Sequence, residues 1–156
     1  MSRTADLPTT DCPPHTFFGD LSAATAVITA AHRGIPVGIL VSTLAPVSPA
    51  AGVFSFSLSG YSYAWPALEK STHIGVHLLD PAGCPAEAAL AETFARVRVD
   101  GFEPGLAWQP GPGGVPLLDG VAHRAVARPT QRIHVGTHVV IVGQVVGVPG
   151  RIDAAA

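Results

Sequence analysis

Histidines are the side chains whose types and spacing first suggest chemistry in this sequence. His73 and His77 lie four residues apart in an apolar segment that predicts a β-strand. Residues at i and i+4 of a strand share one face, so the two could bind a metal ion together. The alternative is two polar residues on a partly solvated strand face. His123 and His134 lie in or beside a later strand, where a structural role is the simpler interpretation.

Other kinds of catalytic site find no support in the sequence. It has no motif for a nucleophile elbow, a zinc hydrolase, a phosphate loop or a dinucleotide loop. The acidic residues are scattered, which excludes a paired-carboxylate hydrolase. Cys12 and Cys84 have neither the spacing of a metal knuckle nor that of a redox pair. We therefore predict no catalytic side chain and no metal site.

Two polar segments could bind a ligand. Ser42, Thr43 and Ser48 can offer hydroxyl and backbone N–H groups to a planar polar molecule, although a solvated loop would have the same composition. The segment 59–63 precedes a short helix, whose first N–H groups attract anions. Ser62 could equally serve only as the cap of that helix. Two such segments lying together would suit a phosphorylated aromatic cofactor.

The elements that must position these residues are mostly strands. Alternating and β-branched patterns predict strands, and helix-forming runs predict two helices, the longer one with Glu87 and Glu92 exposed to solvent. Closure of short antiparallel strands avoids long exposed edges, so we predict a mainly β fold, a closed or split barrel with inserted helices. The predicted strands are 23–31, 35–44, 53–58, 73–79, 117–127 and 137–148, with a loop over 45–52 and helices over 64–70 and 85–96.

Composition limits the classes of protein. The 156 residues predict one domain over 16–150, with a flexible leader at 1–15 and a loose tail at 151–156. Charged residues make up only 13% of the chain, which favours surface hidden in a partner, most simply a second copy. With a net charge of −2 and no basic run, a nucleic-acid partner is not expected. No segment predicts a membrane span or a secretory signal, so a cytoplasmic location is expected.

Ordered sequence markers resemble the flavin reductase-like family, the small FMN-binding split barrels. They run in family order over most of the chain, from TAVITA at 25–30 and PVGILVST at 36–43, through APVS at 45–48, WPAL at 65–68 and HIGVHLL at 73–79, to ETFAR at 92–96, GLAWQPGPGGVPLLDGVAH at 105–123 and VGTHVVIVGQV at 135–145. The resemblance implies a six-stranded antiparallel split barrel. It also implies a homodimer with flavin at the subunit interface.

The same resemblance implies a function and a set of site residues. The implied activity is that of an NAD(P)H-dependent flavin reductase, an oxidoreductase that reduces FMN, or FAD, with NADH or NADPH and can supply a partner monooxygenase. His138 matches the family histidine associated with nicotinamide. The flavin-contacting positions carried over from the family are Leu40, Val41, Ser42, Thr43, Ser48, Ser59, Tyr61, Ser62 and Trp65.

Departures from the family pattern cluster at these same positions. Leu40 stands at a family threonine, His77 at a strand asparagine and Thr137 at the aspartate before the family histidine. The segment 59–63 contains no cation, although the family often has one there. A non-catalytic barrel that binds another small ligand, or acts as a partner subunit, is therefore the alternative. An oxidoreductase of the pyridoxamine-phosphate-oxidase or deazaflavin type is a third.

Overall fold

A computed structural model describes residues 24–96, 102 and 105–148. Strands dominate this part of the chain, and two α-helices and two single-turn 3-10 helices, Pro49–Ala51 and Pro112–Gly114, interrupt them. In chain order the elements are β1 Ala24–His32, β2 Ile35–Ser48, β3 Val53–Ser59, α1 Trp65–Lys70, β4 Ile74–Leu79, α2 Pro85–Ala95, β5 Trp108–Pro110, β6 Pro116–Leu118, β7 His123–Val135 and β8 His138–Gly147.

Six of the strands close into one antiparallel barrel. Their order around it is β1-β2-β3-β8-β7-β4, and β4 pairs with β1 to complete the circle. The predicted mainly β fold, a six-stranded antiparallel barrel with inserted helices, is confirmed. β5 and β6 form a separate two-stranded hairpin. Closure leaves no long unpaired edge among the six barrel strands.

The barrel interior is filled by alternating side chains. On β3 the predicted alternation is confirmed, because Phe54, Phe56 and Leu58 are buried while the serines between them are half-buried. β4 behaves differently, since all six of its residues are buried. Its second face is covered by a cluster in which Leu79 packs with residues of α2 and of the β5–β6 hairpin, namely Phe94 and Leu118. Because both faces of β4 are covered, the strand is apolar except for the buried His77 and shows no alternation of apolar and polar residues.

Two strands extend further than the sequence patterns predict. β2 continues to Ser48, so the predicted loop at 45–52 is wrong over its first half. The strand tolerates Pro46 because the β2–β3 register shifts between Pro46 and Ser48, and proline is accommodated at such bulges. β7 continues to Val135, eight residues past the predicted end at 127. Its second half is largely exposed and lacks the apolar alternation on which the prediction depended.

A second layer on the barrel contains the buried carboxylate of Glu87. The prediction that this side chain faces solvent is wrong, because it is only 2% exposed. Its Oε1 accepts a hydrogen bond from the Asp80 backbone N–H at 2.8 Å, and its Oε2 accepts one from Ala122 at 3.1 Å. Glu87 thus joins the end of β4 to the segment before β7, whereas Glu92 on the same helix is exposed as predicted.

The predicted leader at 1–15 and tail at 151–156 lie outside the described residues. Within the described ranges, none of the helices is both long enough and apolar enough to span a membrane.

Candidate functional site

Ser42 and Thr43 are both exposed to solvent because the bulge in β2 falls at these two residues. Ala24 pairs with Leu44 and Ala26 pairs with Val41, so one residue of β1 opposes two residues of β2. An extra residue in a strand breaks the alternation of side chains. Two consecutive hydroxyl residues therefore point away from the core, and both are exposed.

Thr43 extends this polar surface onto the neighbouring strand. Its hydroxyl accepts a hydrogen bond from the Ser57 backbone N–H at 2.9 Å and lies 3.3 Å from the Ser57 carbonyl oxygen, to which it can donate. Directly opposed residues of a sheet share a face, and Ser59 of β3 opposes His138 of β8. Thr43, Ser57, Ser59 and His138 therefore lie on one outer face formed by β2, β3 and β8.

The segment between β3 and α1 is held by hydrogen bonds within itself. The Ser59 hydroxyl accepts from Tyr61 at 3.1 Å, and the Ser62 hydroxyl accepts from Ala64 at 3.1 Å. The backbone N–H groups of Ser62 and Trp65 donate to the carbonyls of Ser59 and Ser62, each at 3.0 Å. Ala64 occupies the N-cap position of α1, so Ser62 forms a turn before the helix and is not its cap. These N–H groups already have acceptors and are not free for an anion.

The turn between β7 and β8 contacts this segment directly. Gly60 donates its backbone N–H to the Thr137 carbonyl at 2.8 Å. A pocket of about 180 Å³ opens between the β7–β8 turn and the segment before α1. Three of the predicted site residues, Tyr61, Trp65 and His138, line it. Tyr61 is 86% exposed, and the remaining lining residues are Gly60, His134, Gly136, Thr137 and Val139.

Three other predicted residues lie away from this pocket. Val41 points into the barrel core, and Leu40 packs against the cluster beneath α2. Ser48 pairs with Val53, at the opposite end of β3 from Ser59. Six residues at about 3.3 Å each put these two ends about 20 Å apart. The structure therefore brings together Tyr61, Trp65 and His138, places Ser59 and Thr43 on the adjoining outer face, and separates Ser48 from them.

The family known as the flavin reductase like domain matches residues 18–155. This chain belongs to that family. The match covers most of the sequence and confirms the resemblance drawn from the ordered markers. It also explains the architecture, since the similar solved structures include flavin reductase domains.

Individual relatives of this flavin reductase-like chain support the assignment. FMN reductase (NADH) SmoA of Agrobacterium fabrum is 28% identical over 127 residues, which cover 81% of this chain and 70% of that protein. A flavin reductase domain protein from Arthrobacter sp. FB24 superposes with a TM-score of 0.72 at 32% identity, over 81% of this chain and 76% of that one. A homologue of nitrilotriacetate monooxygenase component B from Mycobacterium thermoresistibile gives a TM-score of 0.68 at 25% identity, over 81% and 68% of the two chains.

His77 of this flavin reductase-like barrel has a structural role, and the prediction that it lies on a partly solvated strand face is wrong. It is fully buried. Its Nδ1 lies 3.0 Å from the Val27 carbonyl oxygen, and its Nε2 accepts the Leu118 backbone N–H at 2.9 Å. Since a carbonyl only accepts, Nδ1 carries the proton and the ring is neutral. Burial lowers the pKa of His77 to about 4. Among the described residues, no group of three or more side chains could hold a metal ion.

His134 is the pocket residue to which the sequence patterns assigned no site role. It lies on β7 opposite Val139 and meets Trp65 edge to face, with 5.7 Å between ring centroids and 88° between ring planes. The spacing of His134 and His138 around the turn at Gly136 could have indicated that both residues belong to one site. A two-residue hairpin turn sets the residues on either side of it close together, but β7 was predicted to end before this turn.

Proposed function

We propose that this protein is an NAD(P)H-dependent flavin reductase that reduces FMN and supplies it to a partner monooxygenase. The proposal rests mainly on one observation. In a chain of the flavin reductase-like family, three sequence-predicted residues of the flavin and nicotinamide sites, Tyr61, Trp65 and His138, line one pocket. NADH as donor and FMN as acceptor are favoured because the relative SmoA is an FMN reductase (NADH). A monooxygenase partner is favoured by the similarity to a monooxygenase component B.

The chain's residues are suited to positioning a flavin. The outer face offers the hydroxyls of Thr43, Ser57 and Ser59, and beside it stands the half-buried indole of Trp65. Such a mixture of a flat aromatic surface and hydroxyls fits a planar polar ring system. The chemistry that a bound flavin supplies is the acceptance of a hydride from a reduced nicotinamide. What this chain adds is binding, orientation and exclusion of water.

His138 is the residue proposed to contact the nicotinamide. It is exposed, stands at the start of β8 opposite Val135, and opens onto the pocket. The Thr137 hydroxyl lies 3.2 Å from its Nδ1, which leaves Nε2 for a ligand. Binding of a carboxamide by an imidazole needs one hydrogen bond, and this arrangement provides it.

A homodimer is the proposed assembly. Large apolar side chains remain exposed on the outer surface of β7 and β8, where Ile133 is 44%, Val135 is 57% and Val146 is 47% exposed. Ile133 opposes Val140 and Val135 opposes His138, so the apolar surface adjoins the proposed nicotinamide residue. Burial of these side chains against a second copy would also exclude water from the flavin face. Sedimentation at micromolar protein tests it, and a monomer would contradict it.

The second candidate is a barrel without flavin chemistry, binding another small ligand or serving as a partner subunit. It is favoured by the segment from Ser59 to Trp65, whose N–H groups at five positions already have acceptors and which contains no cation. Such a segment gives a phosphate weaker contacts than free N–H groups and a basic side chain would.

One experiment separates the two candidates. Purified protein is titrated with FMN by flavin fluorescence, and NADH and NADPH oxidation is then followed by absorbance with and without added FMN. A flavin reductase quenches flavin fluorescence and oxidises the dinucleotide only when flavin is present. If neither quenching nor flavin-dependent oxidation occurs at high micromolar protein, the second candidate replaces the first.

A further inference from the structure

Gly38, in the first half of β2, is buried, and its carbonyl accepts a hydrogen bond from the hydroxyl of Tyr63. It lies before the region Ala45–Ser48, where β2 pairs with β3. Aromatic rings cover Gly38, since a Cβ added to it would lie 2.6 Å from the Phe94 ring and 3.1 Å from the Phe102 ring. Phenylalanine rings carry no hydrogen-bond donor, and a buried carbonyl without a donor is costly. Tyr63 therefore supplies a contact that this part of the strand needs.

Tyr63 stands in the chain between two residues that line the pocket, Tyr61 and Trp65. Tyr63 itself lies outside the pocket lining. It is half-buried, and its ring packs against the barrel core. It can therefore affect a ligand in the pocket only through the segment that carries Tyr61 and Trp65.

The hydrogen bonds within this segment fix its shape more than its place. The hydroxyls of Ser59 and Ser62 accept N–H groups of the same segment, so these bonds would survive if the whole segment moved. The bond from Gly60 to the Thr137 carbonyl, at 2.8 Å, attaches the beginning of the segment to the β7–β8 turn. The hydroxyl of Tyr63 attaches its other half to β2.

We propose that Tyr63 is a positioning residue for the pocket, and that its hydrogen bond to Gly38 fixes where Tyr61 and Trp65 stand. The inference rests on the proposed function of the pocket and adds a residue that does not line it. When only a fraction of the molecules has the binding conformation, the apparent Kd equals the intrinsic Kd divided by that fraction. Loss of the attachment therefore weakens binding. It leaves the turnover of the bound complex nearly unchanged, because the segment is in place in that complex.

The test compares two variants that each lose one hydrogen bond from a hydroxyl to a backbone carbonyl. Tyr63→Phe removes the hydroxyl and keeps the ring that packs against the core. The matched control is Thr29→Val, on β1 directly opposite Gly38. The Thr29 hydroxyl donates to the Pro116 carbonyl at 2.6 Å, so it holds the β5–β6 hairpin and not the pocket segment. Urea unfolding of both variants measures the general loss of stability, which a purely structural residue would also cause.

Two measurements without ligand report whether the segment is held in place. The Gly60 amide loses its bond to Thr137 when the segment leaves the β7–β8 turn, and hydrogen exchange detects such local opening. In Tyr63→Phe this amide should exchange about two- to tenfold faster, the effect of one neutral hydrogen bond. The fluorescence of Trp65, recorded in a Trp108→Phe background, should shift towards that of a solvated indole. The control Thr29→Val should change neither measurement.

Steady-state kinetics then connects the segment to the ligand. In Tyr63→Phe the KM for NADH should rise about two- to tenfold, while kcat stays nearly unchanged. Thr29→Val should alter neither constant. A changed exchange rate and emission with an unchanged KM would overturn the link between Tyr63 and ligand binding.

The remaining outcomes separate this inference from the proposed function. Unchanged Gly60 exchange and unchanged Trp65 emission in Tyr63→Phe overturn it. Equal changes in Tyr63→Phe and Thr29→Val also overturn it, because they originate in a general loss of stability. If the unmodified protein neither binds flavin nor oxidises NADH, the proposed function fails, while exchange and emission still decide whether Tyr63 positions the segment.

Discussion

The Nε2 atom of His77 accepts a hydrogen bond from the backbone N–H of Leu118 at 2.9 Å, which fastens the β5–β6 hairpin to the barrel. Leu118 is held on its other side as well, since its carbonyl accepts from Arg124 at 2.8 Å. Because the opposite nitrogen of His77 bonds Val27 of β1, one imidazole ties β1, β4 and β6 together. Both ring nitrogens are used, and the contact exists only while the ring is neutral.

The first prediction is an acid dependence of stability that originates in His77. Its pKa is lowered from 6.5 to about 4 in the folded protein by burial. The unfolded chain binds a proton on this ring as the pH falls below about 6.5, but the folded chain does so only near pH 4. Stability from this residue is therefore complete above about pH 6.5 and is lost progressively down to about pH 4, by about 3 kcal/mol.

Urea unfolding of His77→Asn and the unmodified protein at about pH 7 and about pH 4.5 measures this. The variant should be less stable at about pH 7 by about 1–3 kcal/mol, because Leu118 loses its acceptor. It should lose less stability than the unmodified protein between the two pH values. An equal loss in both proteins would assign the acid sensitivity to other groups.

The second prediction concerns the buried carboxylate of Glu87. Each oxygen accepts one backbone N–H, from Asp80 and from Ala122. In Glu87→Gln one oxygen becomes an NH₂ group, which cannot accept, so one of the two partly buried N–H groups loses its partner. The free energy of unfolding should fall by about 1–3 kcal/mol. Glu92→Gln on the exposed face of the same helix is the matched control and should change it by less than about 0.5 kcal/mol. Equal small effects in both variants would contradict the bridging role.

The fold was predictable because the apolar pattern depends on strand period. On β3 the alternation of Phe54, Phe56 and Leu58 with serines marked both the strand and its buried face. Two features could not be read from that pattern. Glu87 has a charge that normally predicts exposure, and only the tertiary structure supplies the two N–H groups that satisfy it. The second half of β7 is largely solvent-exposed, so it has no apolar period to detect.

The candidate site was predictable only in part, because the presence of hydroxyl residues in a sequence does not indicate where the strands that carry them lie in the fold. Ser48 and Thr43 looked like one loop in the sequence, but a continuous strand separates them and puts Ser48 at the far end of β3 from Ser59. Trp65 and His138 line one pocket beside the hydrogen bond from Gly60 to Thr137. These two bonded residues are 77 positions apart in the sequence, and no local pattern predicts their contact. The family resemblance supplied Trp65 and His138; His134 came only from the structure.

The third prediction concerns Arg132 and the C-terminal end of α1. This helix has only six residues, too few to be stable alone, and its last carbonyls need donors. Arg132 supplies three hydrogen bonds to Leu68 and Ser71. In Arg132→Lys the planar fork is lost, so the free energy of unfolding should fall by about 1–2 kcal/mol.

Because α1 carries Trp65, the same variant should alter the pocket. Trp65 fluorescence, recorded in a Trp108→Phe background, should shift towards that of a solvated indole. Arg128→Lys, an exposed arginine on the same strand, is the control and should change neither stability nor fluorescence. A variant at Arg132 with unchanged stability and emission would show that the helix end is held by other contacts.

The last prediction concerns His138. If its imidazole donates a hydrogen bond to the nicotinamide carboxamide, His138→Ala removes a neutral hydrogen bond worth about 0.5–1.5 kcal/mol. The KM for NADH should then rise about two- to tenfold, with FMN affinity nearly unchanged. Thr137→Val tests the orientation of the ring, since the Thr137 hydroxyl lies 3.2 Å from Nδ1. It should raise the KM less than His138→Ala does.

The competing interpretation is that His138 packs at a subunit interface beside Val135. An unchanged KM for NADH together with a lowered sedimentation coefficient would favour packing, because the apolar surface of β7 and β8 would then lose its partner.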